Sequence, residues 1–131
     1  MLPSTELKRI ARHRLIDSNI LLRNKRFDGA IYLCGYAIEA MLKQKICMLL
    51  NWNEFPCTRN EFKELNSFKT HNLDVLLKLS GNELKIKNNF LTDWSIVSKW
   101  NSEIRYNIIG TAKLKEAEEM IKSARIIIKN L

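Results

Sequence analysis

The stretch Phe27–Leu50, FDGAIYLCGYAIEAMLKQKICMLL, constrains this chain more than any other feature. It runs far too long between breakers to be a strand. At ~1.5 Å per residue it makes a helix of roughly 35 Å, enough to cross a small domain. Asp28 is placed to cap its start, because a carboxylate there can accept from the free amides of the first turn. Ala30, Ile31, Leu33, Cys34, Ala37, Ile38, Ala40, Met41, Leu42, Ile46 and Cys47 cover most of the circumference. A helix apolar nearly all round is buried on more than one side. The exception is a narrow stripe in which Asp28, Tyr32, Gly35, Tyr36, Glu39 and Lys43 fall within about a third of a turn. Glu39 is the residue to explain. A carboxylate halfway along a buried helix needs a partner, so it either takes a salt bridge or opening to solvent, or serves a site.

A chain of 131 residues is a single domain, 1–131, able to bury its own core. With 46% apolar residues and only four Gly and two Pro, it favours helices joined by short turns and argues against disorder. The N-terminus turns polar at once, so no signal peptide is expected. Glu39, Lys43 and Lys45 interrupt the longest apolar runs, so no membrane span is expected. Cys34, Cys47 and Cys57 are odd in number and match no metal spacing; they read as reduced thiols of a cytoplasmic protein. The formal charge is +8, and residues 1–26 carry seven Lys/Arg against two acids. Such an excess is either an electrostatic footprint for nucleic acid, nucleotide or an acidic protein, or a solvated basic face.

Ser4 is a good cap for a first helix running to about Asn24, with Leu7, Ile10, Ala11, Leu15, Ser18, Leu21 and Leu22 as its apolar stripe. Arg14 sits within that stripe and must pair with an acid or line a wet cleft. Ile16 and Ile20 lie on the opposite side near His13, which suggests a second contact such as a subunit interface. The polar turn Asn24-Lys25-Arg26 predicts antiparallel packing of the first two helices. Pro56 and its neighbours predict a loop over 51–58, followed by a short helix within Glu61–Phe68. A further helix starts near Thr70-His71-Asn72-Leu73 and stops at Gly81, with His71 as a capping or packing residue. Glu83 to about Tyr106 reads as one long helix. Asn107-Ile108-Ile109-Gly110 breaks it, and Thr111 caps a final amphipathic helix through Leu131. The sum is an all-α, up-and-down bundle of four to five helices.

No GxxxxGK[ST] or GxGxxG loop, HExxH helix or paired Cys/His set occurs, so no metal and no cofactor is expected. The segment Trp100-Asn101-Ser102-Glu103-Ile104-Arg105-Tyr106 places an Arg, an amide, an acid and aromatics at one helix end. That set suits a phosphate-and-base ligand through bidentate hydrogen bonds and stacking. The alternative is an Arg105 that pairs with a core acid such as Glu39 and closes the bundle.

Several segments together resemble HEPN domains. Arg14-Leu15-Ile16-Asp17-Ser18, Arg26 to Leu33 and Gly35 to Lys43 are similar to the family's first two helices. Thr70-His71-Asn72-Leu73 resembles its Thr-His-Asp-Leu entry to the third helix, and Trp100–Tyr106 its Arg-Tyr segment before the last. The resemblance implies a helical bundle, usually a homodimer, in a family of metal-independent ribonucleases, nucleotide-binding modules and toxins encoded beside small nucleotidyltransferases. The ribonuclease members carry a His four to six residues after an Arg; here Tyr106 to Ala112 contains none. The expectation is therefore a cytoplasmic, dimeric HEPN-like domain that binds nucleotide or RNA phosphates in a cleft without catalysis. Arg14, Glu39, Arg105 and Tyr106 would form that cleft, with Asn101 in support. A degenerate ribonuclease, and a pure interaction module that is the protein partner of a nucleotidyltransferase with no ligand of its own, are the alternatives.

Overall fold

A computed structural model describes all residues, Met1–Leu131. Two long helices form its spine: α1 (Ser4–Arg23) and α2 (Phe27–Leu50). The turn between them is closed by Lys25, whose φ of 59° is left-handed, and the two helices return against each other as the largest interface in the molecule. A short antiparallel ladder pairs β1 (Leu2–Pro3) with β2 (Glu54–Phe55), so the chain just after α2 is fastened to the start of α1. Three seven-residue helices follow: α3 (Leu73–Leu79), α4 (Glu83–Asn89) and α5 (Leu91–Val97). A 3-10 turn covers Ser102–Tyr106, and α6 (Leu114–Asn130) closes the bundle against α2 and α5. The all-α bundle that the periodicities predict is the architecture found. No helix is long and apolar enough to cross a membrane.

α2 behaves as its composition demands. Ala30, Cys34, Ala37, Ile38, Leu42, Ile46 and Cys47 have no exposed surface, because α1, α3 and α6 cover it on several sides. The apolar circumference of α2 is thus largely consumed within one chain. Burial also pushes the Cys34 thiol up to about 12, as expected for an inert core sulfur.

Several local expectations need correction. Pro3, not Ser4, stands at the N-cap of α1; Ser4 is already helical and its amide donates to the Asn53 carbonyl at 2.9 Å. The loop carbonyl thus takes one of the free amides of the first turn in place of a side-chain cap. Thr111 does not cap α6: Lys113 holds that position, and the Thr111 hydroxyl donates to the Ile108 carbonyl instead. Over Glu61–Phe68 only a 3-10 turn at Asn66–Phe68 forms. Glu61 is taken up by the loop, its Oε2 accepting from the amides of Cys57 and Thr58.

The long helix expected over Glu83–Tyr106 is broken twice. Phe90 leaves helical geometry at φ −136° and ψ 36°, and Asn101 is extended at φ −147° and ψ 162°. Asn88 and Asn89 weaken the first junction, since Asn competes with helix by bonding nearby backbone. At the second, Asn101 Oδ1 accepts from the Glu103 amide and starts a new turn. A straight rod would leave its anchors along one line. The bends let Ile86, Trp94, Val97 and Trp100 all reach the core.

Candidate functional site

The stripe along α2 is where the connection between α2 and α6 is pinned. At its N-terminal end Asp28 does not cap α2. Arg26 is the N-cap, without a side-chain cap bond, and the Asp28 carboxylate accepts from the amides of Gly110 at 2.7 Å and Ala112 at 3.0 Å. Those two bonds hold the carboxyl below its ordinary range. One turn on, the Tyr32 carbonyl accepts from Trp100 Nε1 at 3.2 Å. Gly35 then leaves room for the indole itself: a Cβ there would lie 2.0 Å from the ring. Tyr36 meets Trp100 edge-on at 5.0 Å, Tyr32 at 5.1 Å and His71 at 6.2 Å. Burial pushes the Tyr36 hydroxyl up to about 12, helped by its hydrogen bond to Tyr32.

Glu39 is 4% exposed and has two partners. Lys43 Nζ lies 2.6 Å from its Oε1, one helical turn away. His71 Nδ1 lies 2.9 and 3.1 Å from its two oxygens. The second partner was invisible as such in the sequence, where His71 reads as a cap. Asn72 performs that task, its Oδ1 accepting from the Val75 amide. Arg105 takes no part, so the alternative of an Arg105–Glu39 closure is excluded. His71 is more than half exposed, with its other ring nitrogen free of any protein partner.

Two clefts open on this face. The larger has a volume of about 540 Å³ and lies between the start of α2, the segment 99–112 and the first turns of α6. Ile31, Tyr32, Trp100, Ile104 and Met120 give it an apolar, partly aromatic lining; Arg105 and Lys99 bring positive charge, and the carboxylates of Asp28, Glu116 and Glu119 bring negative charge, Asp28 being engaged by the amides of Gly110 and Ala112. The Arg105 guanidinium donates to the Ser102 carbonyl at 3.0 Å and stands 4.7 Å from the centre of the Tyr106 ring. Tyr106 raises its already high pKa further, so it is a fixed cation. The smaller cleft, about 250 Å³, is polar and includes His71, Asn101 and Ser102. Lys99 and Trp100 line both, so the clefts share a wall.

The five residues expected at one cleft are therefore distributed. Arg105 lines the larger and Asn101 the smaller. Tyr106 is an exposed ring beside Arg105. Glu39 lies behind His71, and Arg14 lines neither cleft. Arg14 pairs with Asp17 at 2.6 Å along α1, which resolves its place in the apolar stripe. Lys99 and His71 are the residues that the sequence understated. A Lys beside the Trp-Asn-Ser-Glu-Ile-Arg-Tyr run was readable as part of the same basic cluster. No local signal announced the His71–Glu39 contact, which joins residues 32 positions apart. Comparison of the chain with protein-family models, with curated proteins and with solved structures returns no match.

Proposed function

We propose that this chain is a HEPN-like domain that binds nucleotide or RNA phosphates in the larger cleft. In this reading it does not catalyse, and it acts as the partner of a small nucleotidyltransferase in a toxin–antitoxin-type pair. The observation that carries the binding reading is Arg105. Its charge is exposed, stacked on Tyr106, and adjoins a cleft walled by Trp100 and Tyr32. A guanidinium takes phosphate through paired donors, while aromatic and aliphatic side chains take a base. A volume of about 540 Å³ falls within the range of small-molecule sites. Titration of the protein with a nucleotide panel and with short single-stranded RNA tests this reading. Arg105→Ala is expected to weaken binding by about 1–3 kcal/mol without altering the far-UV spectrum. Unchanged affinity in the variant would remove the cleft assignment.

One observation favours a second reading, the degenerate ribonuclease. A buried carboxylate that fixes Nδ1 of an exposed His leaves Nε2 oriented for proton transfer, and such help is worth ~10²–10⁴ in rate. Labelled single-stranded RNA decides between the two. Cleavage by the wild type that is lost in both Arg105→Ala and His71→Ala makes the domain a nuclease. No difference between wild type and Arg105→Ala leaves binding alone.

A further inference from the structure

The outer face of α1 is set apart from both clefts. Leu7, Ala11 and Ser18 are buried and define the inner face of this helix. On the opposite side, Lys8, Arg12, Ile16, Ile20 and Arg23 fall within about 120° of one another at 3.6 residues per turn. Lys8, Arg12, Ile16 and Ile20 form one continuous i, i+4 ridge, and Arg23 follows three residues later. Ile16 and Ile20 are 54% and 51% exposed. The acids of this helix are already used: Glu6 pairs with Arg9 at 2.9 Å and Asp17 with Arg14 at 2.6 Å. Lys8, Arg12 and Arg23 enter no ion pair in the molecule.

We infer that this ridge docks an acidic amphipathic helix of a different protein, with Ile16 and Ile20 as the apolar seat and Lys8, Arg12 and Arg23 as its charged rim. Two aliphatic side chains one turn apart match the i, i+4 spacing by which a helix presents its own apolar residues. Cations at both ends of that seat select a partner with carboxylates flanking its apolar positions. A second copy of this chain fits poorly. An isologous contact sets the same patch against itself, with unpaired cations facing unpaired cations. Nucleic acid would engage the cations through phosphates but offers the isoleucines little, because such contacts are polar. A bilayer would need a wider apolar face than two side chains. The inference is independent of what occupies the cleft beside Arg105.

Fluorescence anisotropy tests it with a labelled synthetic peptide of about 18 residues, long enough to hold a helix. Leucines occupy one face of the peptide and glutamates flank them; a scrambled peptide of identical composition is the control. The designed peptide is expected to bind at least about tenfold more tightly than the scramble, a difference of ~1.4 kcal/mol. Ile16→Asp, and separately the pair Arg12→Glu with Arg23→Glu, are each expected to remove about tenfold. Leu84→Asp, at an exposed position on α4 that lines neither cleft, is expected to leave peptide binding unchanged. All these positions are exposed, so circular dichroism should report an intact fold in each variant. Equal binding of the two peptides overturns the inference, as does binding indifferent to Ile16→Asp. Tighter binding of a labelled single-stranded oligoribonucleotide, lost in the Arg pair but not in Ile16→Asp, reassigns the ridge to nucleic acid. A wild-type dimer by light scattering that Ile16→Asp dissociates reassigns it to a second copy.

Discussion

Adding one carbon at Gly35 should expel a whole indole. The Cβ of Gly35→Ala would lie 2.0 to 2.2 Å from Trp100 Cε2, Cδ2 and Nε1, well inside contact distance. The ring cannot slide aside, since it is 5% exposed, packed on Tyr36 and bonded to the Tyr32 carbonyl. Losing a buried Trp from its seat costs about 3–5 kcal/mol, and its indole hydrogen bond adds about 1 kcal/mol. Alanine returns about 1 kcal/mol through its better helix propensity in mid-helix. The net expectation is a loss of about 3–5 kcal/mol from a fold whose total stability is on the order of 5–15 kcal/mol. Urea titration followed by far-UV circular dichroism measures the loss, and a red shift of tryptophan emission reports the indole entering water. The same substitution in a Trp100→Ala background should reverse sign and stabilise by up to ~1 kcal/mol, because only propensity remains. The reasoning fails if Gly35→Ala unfolds near the wild-type midpoint with unchanged emission. It also fails if the substitution is as harmful without Trp100 as with it.

Other outcomes follow from the same stripe. Asp28→Asn removes the charge that the amides of Gly110 and Ala112 bind; hydrogen exchange at these two positions should speed up, with a loss of about 1–2 kcal/mol. Because the folded-state pKa of Asp28 is lowered, its contribution is present above the ordinary value of 3.8 and fades as pH falls through the lowered one. Protection factors at Gly110 and Ala112 should therefore drop on acidification in the wild type, and Asp28→Asn should flatten that dependence. Lys43→Met leaves the buried Glu39 with His71 alone and should cost about 2–4 kcal/mol in urea titration. Glu39→Gln in the Lys43→Met background should recover part of that loss, and no recovery would mean that the uncompensated charge is not the cause.

The all-α class and the two long helices were legible because α1 and α2 satisfy a 3.6-residue period over many turns. The polar stripe on α2 was legible too, but only as an exception. That Asp28, Gly35 and Glu39 each face a different piece of the chain 32 to 84 residues away is a tertiary fact without local spacing. The breaks at Phe90 and Asn101 were hidden for a related reason. Ile86, Phe90, Trp94, Val97 and Ile104 keep helical spacing whether or not the helix bends. What distinguishes the cases is where Trp100 must go. Of the residues expected at one cleft, Arg105 lines the larger and Asn101 the smaller. For Arg14 the first of its two alternatives is the one found, a pair with Asp17 three residues on. The side-chain caps expected at Ser4 and Asp28 did not form because distant backbone supplied other partners: the Asn53 carbonyl for the Ser4 amide, and the amides of Gly110 and Ala112 for the Asp28 carboxylate.

Half of the residues lining the larger cleft, eight of 16, come from positions 98–113. Within that span only Trp100 is fully buried. The segment is anchored by the buried Trp100 and its bond to Tyr32, by Ile104 against the core and by two amides on Asp28, and most of its other residues are exposed; so few anchors predict that it opens at lower free energy than the α1–α2 hairpin. Opening would dismantle the cleft, so for a ligand bound there as proposed the observed dissociation constant is the intrinsic one divided by the closed fraction. In the proposed binding reading, Gly35 thus acts on the cleft from behind: by seating the Trp100 indole it fixes both the wall that a ligand would meet and the fraction of molecules in which that wall is in place.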